Sequence, residues 1–207
     1  NAKPWGAGRI YHHERRALMT NVGNLSNDTG ADMLWFAISA TFGRELKAKA
    51  FLEKNNVECF VPMRYEITKM RDGKKTRQLV PAVKNLIFVH TTRQRIQSLK
   101  SGVEYLQYHT RPAGERRVPI TVPEYQMQQF IAACNTFNEK LIYLAPDEIN
   151  LQEGTPVRIV GGSFDGIEGT FVRIEKGKRK KVVVLAEGIA AVIIANLNDG
   201  YIQVLDR

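Results

Sequence analysis

Residues 157 to 174 read Val157-Arg-Ile-Val-Gly-Gly-Ser-Phe-Asp-Gly-Ile-Glu-Gly-Thr-Phe-Val-Arg-Ile174. A run of β-branched and aromatic residues alternates with other residues on each side of a glycine-rich centre, which is typical of strands half-buried on a core. The centre is therefore predicted to be a sharp turn. Gly162, Gly166 and Gly169 stand where a chain that reverses over Phe164 needs a positive φ or a close backbone approach, and glycine supplies both without strain.

The spacing Gly-x-Phe-x-Gly-x-x-Gly between apolar runs resembles a KOW motif, the opening hairpin of a small SH3-like barrel in NusG-type transcription factors and some ribosomal proteins. A glycine-rich surface turn has a similar composition, so the interpretation depends on the residues that precede it. Further on, Lys181 to Leu185 and Ile189 to Ile194 are rich in β-branched residues. These favour strands over helix, so we expect the second domain to form a barrel. In RfaH, one of the NusG-type factors, the second domain can also form a helical hairpin.

The composition allows two small domains. The chain has 207 residues, of which 43% are hydrophobic and 25% charged, enough to bury a core. Cys59 and Cys134 are far apart and lack metal-ligand spacing, as do the four histidines, so we expect buried, reduced thiols and neither metal nor cofactor. No apolar run approaches the roughly 18 residues of a membrane span. We therefore expect a cytoplasmic protein with no membrane partner.

The positive charge is concentrated in the middle of the chain. Residues 33 to 137 carry 17 Lys/Arg against 8 Asp/Glu, whereas residues 138 to 207 carry 9 against 10. The middle segment is thus expected to lie against a polyanion, and the near-neutral barrel to meet protein.

Periodicity predicts the elements of the middle segment, after a polar leader over residues 1–32 that shows no pattern. An Asp-Gly pair predicts a hairpin, and Thr121 with Glu124 predicts a capping box at the last helix. The predicted elements are a strand at 34–39, a helix at 44–55, a strand at 58–63, a hairpin at 65–70 and 75–80, a strand at 86–89, a helix near 93–100, a strand at 105–108 and a helix from about 121 to 137.

This order of elements is similar to that of the NusG N-terminal (NGN) domain. The resemblance covers residues 34 to 137 and rests on Trp35-Phe36, Val57 to Met63, Arg71-Asp72-Gly73-Lys74-Lys75, Val83 to Val89, and Arg111-Pro112-Ala113 leading to Pro119-Ile120-Thr121. It implies an α+β chain: an NGN-like α/β sandwich, with an antiparallel-type sheet and helices, at 33–137, a polar linker at 138–150 and an SH3-like KOW barrel at 151–207.

Within that family, Asn85 and the stretch Cys59 to Met63 resemble the specialised paralogues, RfaH and the UpxY antiterminators of capsular-polysaccharide operons. Lys84 stands where the family has proline and Leu86 where it has an aromatic residue, in the strand that grips polymerase. This closer resemblance implies a factor specialised for polysaccharide (capsule) operons.

The resemblance implies binding without chemistry. In this family the first domain lies across the RNA polymerase cleft on the clamp helices of the largest subunit and disfavours pausing. Matching positions and strand alternation assign Trp35, Ser39, Val83, Leu86 and Phe88 to the polymerase-facing side, if the helices cover one face of the sheet only. The alternative is that Trp35, Leu86 and Phe88 are ordinary core.

Basic residues are candidates for phosphate contacts with upstream DNA, non-template DNA or nascent RNA. They are Arg44, Lys47, Lys74, Lys75, Arg77, Arg93 and Arg95. The alternative is a solvated surface, and for the basic run 176–181 solubility is favoured over RNA contact. The family's second domain implies a ribosomal protein or a termination factor as its partner, and we expect a monomer.

Two other functions stay open. A KOW-containing ribosome-associated or RNA-binding protein explains the charge but does not need the match over residues 34 to 137. An enzyme is the other alternative, although the sequence has no nucleophile-base constellation, phosphate loop or carboxylate pair with catalytic spacing.

Overall fold

The structure is a computed structural model, and it describes residues 32–69, 73–136, 141–144, 154–173, 180–195 and 201–205. The predicted leader lies outside these residues, apart from Asp32. Asp32–Arg207 form one compact unit. The helices are α1 (Glu45–Lys54), α2 (Arg93–Ser101) and α3 (Glu124–Asn135). The strands up to α3 are β1 (Leu34–Ala40), β2 (Glu58–Phe60), β3 (Met63–Lys69), β4 (Lys75–Pro81), β5 (Leu86–Thr91), β6 (Leu106–Tyr108), β7 (Thr110–Ala113), β8 (Arg116–Pro119) and β9 (Thr121–Val122). The strands after α3 are β10 (Leu141–Leu144), β11 (Thr155–Val160), β12 (Glu168–Arg173), β13 (Lys180–Ala186), β14 (Ala190–Ala195) and β15 (Tyr201–Val204).

The elements from β1 to α3, which we call the front domain, are built on one antiparallel sheet. Its strand order is β2-β5-β1-β6, and β9 pairs with β1 as well. Strands β3 and β4 form a separate hairpin, as the Asp-Gly pair predicts, and so do β7 and β8. The mixture of an antiparallel sheet with helices confirms the α+β fold class.

Strand alternation sends the side chains of the front sheet into two apolar layers. Phe36, Ile38 and Val89 lie on the face that packs against Ala48 and Leu52 of α1 and Ile96 of α2. Trp35, Ala37, Leu86 and Phe88 lie on the opposite face, where Met127 and Phe130 of α3 join the same cluster. Helices therefore cover both faces of the sheet.

The elements from β10 to β15, which we call the rear module, form a second antiparallel sheet. Its order is β10-β14-β13-β12-β11-β15, in which β15 returns to pair with β11. The β-branched stretches predicted as strands are β13 and β14, so that prediction is confirmed. Branched side chains lose less freedom in a strand than in a helix, which explains the outcome.

Three local features differ from the sequence-based predictions. Thr121 lies in β9 rather than in a capping box, because α3 begins at Glu124 with Pro123 at its N-cap and no side-chain capping bond. The range predicted as linker contains β10, whose apolar residues pair with β14. The hairpin of β7 and β8 was not predicted, since its prolines hide the strand pattern while Gly114, at φ 62°, supplies the turn.

Candidate functional site

The residues predicted to face polymerase are buried in the front domain. Trp35 and Val83 are each 4% exposed, Leu86 is 1% and Phe88 is 0%, whereas Ser39 is half-buried. The Phe88 ring meets Phe130 of α3 edge-on, with centroids 5.7 Å apart. The expectation that helices leave this face uncovered is wrong, because α3 lies on it. We call Trp35, Val83, Leu86 and Phe88 the front apolar face.

A polar cluster at the edge of this face attaches the start of α3 to the sheet. The Trp35 indole N–H donates to Glu124 Oε2 at 2.8 Å, and the indole stacks on the His90 ring at 4.8 Å between centroids. His90 Nδ1 lies 2.8 Å from Glu58 Oε2. The capping motif predicted that Glu124 caps the last helix. Its carboxylate instead accepts a hydrogen bond from Trp35, 89 residues away in sequence.

The other side of α3 is bonded to the rear module. Gln129 Oε1 accepts the Glu168 backbone N–H at 2.8 Å, and Gln126 Oε1 accepts the Glu187 backbone N–H at 2.9 Å. Glu187 also pairs with Arg111 of the front domain at 2.8 Å. The Tyr125 hydroxyl donates to Glu168 as well. Helix α3 is thus held between the front sheet and the rear module.

The apolar core continues across this contact. One cluster of buried side chains contains the front apolar face, Met127 and Phe130 of α3, and the rear residues Val157, Phe164, Ile189 and Val192. The Tyr143 hydroxyl of β10 also donates to the Met63 carbonyl at 3.1 Å. Burial of shared apolar area and these polar bonds together stabilise the contact between the front domain and the rear module. We call this contact the closed arrangement.

The predicted turn of the rear module has the backbone that its glycines indicate. Gly162 and Gly166 have φ of 73° and 80°. At Gly169 an added Cβ would lie 2.6 Å from the Val183 carbonyl oxygen. Glycine is required there because β12 and β13 approach closely, not because φ is positive. Phe164 is 9% exposed and packs into the core.

The basic candidates fall into three groups, and all seven residues are exposed. Lys74, Lys75 and Arg77 lie on the hairpin, where the Arg77 guanidinium stands 3.7 Å from the Tyr65 ring centroid. Arg93 and Arg95 begin α2, and Arg95 donates to the Asn55 carbonyl at 3.2 Å. The basic run 176–181, for which solubility is favoured over RNA contact, lies largely outside the described residues.

The third group is Arg44 and Lys47. Both contact aromatic residues that the sequence interpretation did not assign to a site. The Arg44 guanidinium carbon lies 5.4 Å from the ring centroids of both Phe42 and Tyr105. Lys47 Nζ lies 5.2 Å from the Tyr105 ring. Phe42 lies between the predicted strand at 34–39 and the predicted helix at 44–55, and its 84% exposure is the signal that marks it.

The thiols are unsuited to nucleophilic chemistry. Burial raises the pKa of Cys134 to about 12, and burial together with the nearby Glu53 carboxylate raises the pKa of Cys59 to about 11. Both are therefore protonated at neutral pH, when a thiol is a weak nucleophile. Within the described ranges, no group of three or more His, Cys, Asp or Glu side chains is arranged to hold a metal ion. None of the helices described has the length and apolar character that a membrane crossing requires.

Comparison with known proteins connects the front domain to one family. Residues 33–131 match the family model described as "NusG: Transcription termination factor nusG". The match begins just before β1 and ends within α3, and it supports the NusG-type resemblance in that part of the chain. A solved structure described as "Domain interaction in Thermotoga maritima NusG" is 17% identical, with a TM-score of 0.40, and the alignment covers 80% of this chain and 93% of that one. The comparison with curated proteins finds no match.

Proposed function

We propose that this protein is a NusG-type transcription elongation and antitermination factor that binds RNA polymerase and suppresses pausing or termination. The observation that carries the proposal is the family match over residues 33–131. Those residues fold as an antiparallel sheet with helices on both faces and a basic hairpin beside it. The resemblance to the UpxY branch supports a role in the transcription of polysaccharide operons. The near-neutral charge of the rear module suits a protein partner such as a ribosomal protein or a termination factor.

The clamp helices of the largest polymerase subunit are the proposed target of the front domain. The front apolar face is covered in the closed arrangement, and a side chain that is 0% exposed cannot contact a partner. Because α3 covers that face, the contact surface in our proposal is instead the part of α3 on which the rear module lies, and the rear module separates from α3 before polymerase binds. The flank of α3 and the adjacent apolar side chains that the rear module covers then become available to polymerase.

Because the rear module must separate from α3 before polymerase binds, binding shifts the population of molecules from the closed arrangement to an open one. A ligand moves an equilibrium only by the difference between its affinities for the two states, so polymerase must bind the open arrangement more tightly than the closed one. Separation exposes part of a shared apolar cluster and breaks the bonds of Gln126, Gln129 and Arg111. The apparent affinity for polymerase is then the affinity of the open arrangement multiplied by the fraction of molecules that are open.

The test is transcription in vitro with purified polymerase from the same organism, on a template with a long leader. We expect the full chain to bind polymerase and to lengthen read-through. Absence of binding and of any change in pausing would reject the proposal. Co-purification with ribosomal subunits instead of polymerase would favour the ribosome-associated alternative.

The structure also rules out one obvious test. Substituting Leu86 and Phe88 by aspartate would remove the predicted contacts, but both side chains are fully buried. A buried carboxylate without a partner destabilises the fold, so loss of function there would not report on polymerase binding. Variants at the contact between α3 and the rear module are the informative ones.

A further inference from the structure

A cavity of about 170 Å³ lies between α3 and the rear module. Tyr125, Gln126 and Gln129 of α3 form one wall, and residues of β11, β12 and β13 together with Leu205 form the opposite wall. Tyr125 is 41% exposed, so the cavity is open to solvent beside its ring. We call it the α3 cavity. Since an engineered cavity of about 150 Å³ in another protein binds benzene, the α3 cavity has room for one six-membered ring.

The two glutamines that line the α3 cavity have hydrogen-bond donors to offer. Gln129 Oε1 accepts the Glu168 backbone N–H at 2.8 Å, and Gln126 Oε1 accepts the Glu187 backbone N–H at 2.9 Å. These bonds fix the orientation of both side-chain amides and leave each Nε2 with its N–H donors. Within the part of the chain that the structure describes, neither Nε2 has a hydrogen-bond partner. Because residues three apart lie on the same side of a helix, the two amides can bind one ligand that carries acceptor atoms.

The charges around the α3 cavity favour an uncharged ligand. Among the described residues that line it, Glu168 is the charged one. Its carboxylate already pairs with Arg158 at 2.6 Å and accepts a hydrogen bond from the Tyr125 hydroxyl. Pro156 and Leu205 add apolar surface to the walls. An anion would meet a carboxylate here, and a cation would have to compete with Arg158.

We propose that the α3 cavity binds a small uncharged ring compound with hydrogen-bond acceptors, of the size and chemistry of a free pyrimidine base, and that this ligand holds the closed arrangement together. The carbonyl oxygens of such a ring accept from the Gln126 and Gln129 amides, while the ring itself lies against apolar side chains. Small-molecule sites combine apolar walls with a few placed polar groups in this way. A cavity of this volume does not enclose the ribose phosphate of a nucleotide, so the free base is the source that the geometry favours.

The ligand contacts α3 and the rear module at once. Separation of the rear module from α3 takes one wall of the α3 cavity away from the other, so the ligand binds the closed arrangement. A ligand that binds one state stabilises that state by mass action, and at about ten times its Kd the ratio of closed to open molecules rises about 11-fold. This regulatory role rests on the proposed function, in which polymerase binds the open arrangement. Polymerase should then bind about 11-fold more weakly.

Binding is tested on the full chain by ligand-observed NMR titration with uracil, benzene and uridine monophosphate. We expect uracil to bind with a Kd on the order of 1 mM or tighter. Benzene has the ring without acceptors, and uridine monophosphate adds a ribose and an anion, so both should bind more weakly than uracil. Hydrogen exchange of the Glu168 and Glu187 amides should slow about 11-fold at about ten times the Kd of uracil, because both amides are bonded to α3 in the closed arrangement.

Variants on the two walls test the site itself. Leu205→Trp should fill the α3 cavity and abolish uracil binding. Its matched control is Val204→Trp, because Val204 is 59% exposed and is not among the residues that line the cavity. Gln126→Glu keeps an acceptor for the Glu187 N–H but exchanges the amide donor for a carboxylate oxygen, so it should weaken uracil binding about 2- to 13-fold. Circular dichroism verifies that each variant is folded.

Three results would overturn the inference: no binding of uracil, equal binding of uracil and benzene, or full uracil affinity in a folded Leu205→Trp variant. Tighter binding of uridine monophosphate than of uracil would overturn it as well, because the ligand would then be a nucleotide. Uracil binding and amide exchange are measured without polymerase, so the site and the proposed function can fail separately. If uracil binds and slows amide exchange while polymerase affinity stays unchanged, the α3 cavity is a ligand site and the proposed opening before polymerase binding is refuted.

Discussion

Removing the two glutamine bonds between α3 and the rear module should increase polymerase binding. Gln126 and Gln129 each accept a backbone N–H of the rear module, at 2.9 and 2.8 Å. The variant Gln126→Ala/Gln129→Ala leaves both N–H groups without these acceptors in the closed arrangement, whereas water can satisfy them in the open one. We therefore expect the closed arrangement to be selectively destabilised.

The magnitude follows from the bonds lost. A typical hydrogen bond contributes about 0.5–1.5 kcal/mol net, so the double variant should lose about 1–3 kcal/mol of closed-state stability. Since about 1.4 kcal/mol is a factor of ten, the ratio of open to closed molecules should rise about 5- to 150-fold. While the closed arrangement dominates, the dissociation constant for polymerase should fall by the same factor.

A matched control lies on the same helix. Gln128 is exposed, and among the residues that the structure describes its side chain bonds within α3, to Glu124 at 2.9 Å. Gln128→Ala therefore makes the same chemical change and leaves the bonds of Gln126 and Gln129 to the rear module in place. The assay is titration of polymerase with each labelled variant, accompanied by circular dichroism to verify folding. Unchanged polymerase affinity in a folded double variant, or an equal gain in Gln128→Ala, would show that these two bonds do not hold the rear module on α3.

Two further predictions concern the fold itself. Gly169→Ala should lower the melting temperature, because its Cβ would lie 2.6 Å from the Val183 carbonyl oxygen and overpacking of this kind costs about 1–3 kcal/mol. Gly102→Ala should not, because among the described residues no atom outside the neighbouring backbone lies within 4 Å of the added Cβ. Equal melting temperatures of the two variants would contradict this prediction. Cys59 and Cys134 should react slowly with a disulfide reagent at pH 8, because raised pKa values of about 11 and about 12 leave fewer than roughly one thiol in a thousand ionised. Their rates should rise with pH towards 10, and reaction at the rate of a free thiol in the folded protein would show that burial is not protecting them.

Local patterns predicted most elements of the fold. The short apolar run over residues 34–39, the Asp-Gly pair and the β-branched stretches that form β13 and β14 are each short-range signals, and the structure contains the corresponding strands. Glycine requirements are equally local, since a positive φ at Gly162 or Gly166 depends on the immediate backbone. Such features are set within a few residues and can be read without knowing the rest of the chain.

Contacts between distant residues were not predictable in the same way. The capping motif placed Glu124 at a helix end, but its carboxylate bonds Trp35 across the domain. The contacts of Arg44 and Lys47 with aromatic rings join the loop residue Phe42 and the distant Tyr105, which no spacing rule connects. Side chains of this kind are assigned by three-dimensional proximity, and proximity depends on how the sheet and helices pack.

The α+β class, the basic character of the front domain and the turn chemistry of the rear module follow from the amino-acid sequence alone. Whether the front apolar face is available depends on how the helices and the rear module pack on it. An apolar side chain in a strand has the same sequence signature whether a helix, another domain or a partner protein covers it, because the hydrophobic effect is non-directional. Here the cover is α3, with the rear module bonded to it, and that arrangement is what a polymerase-binding mechanism must account for.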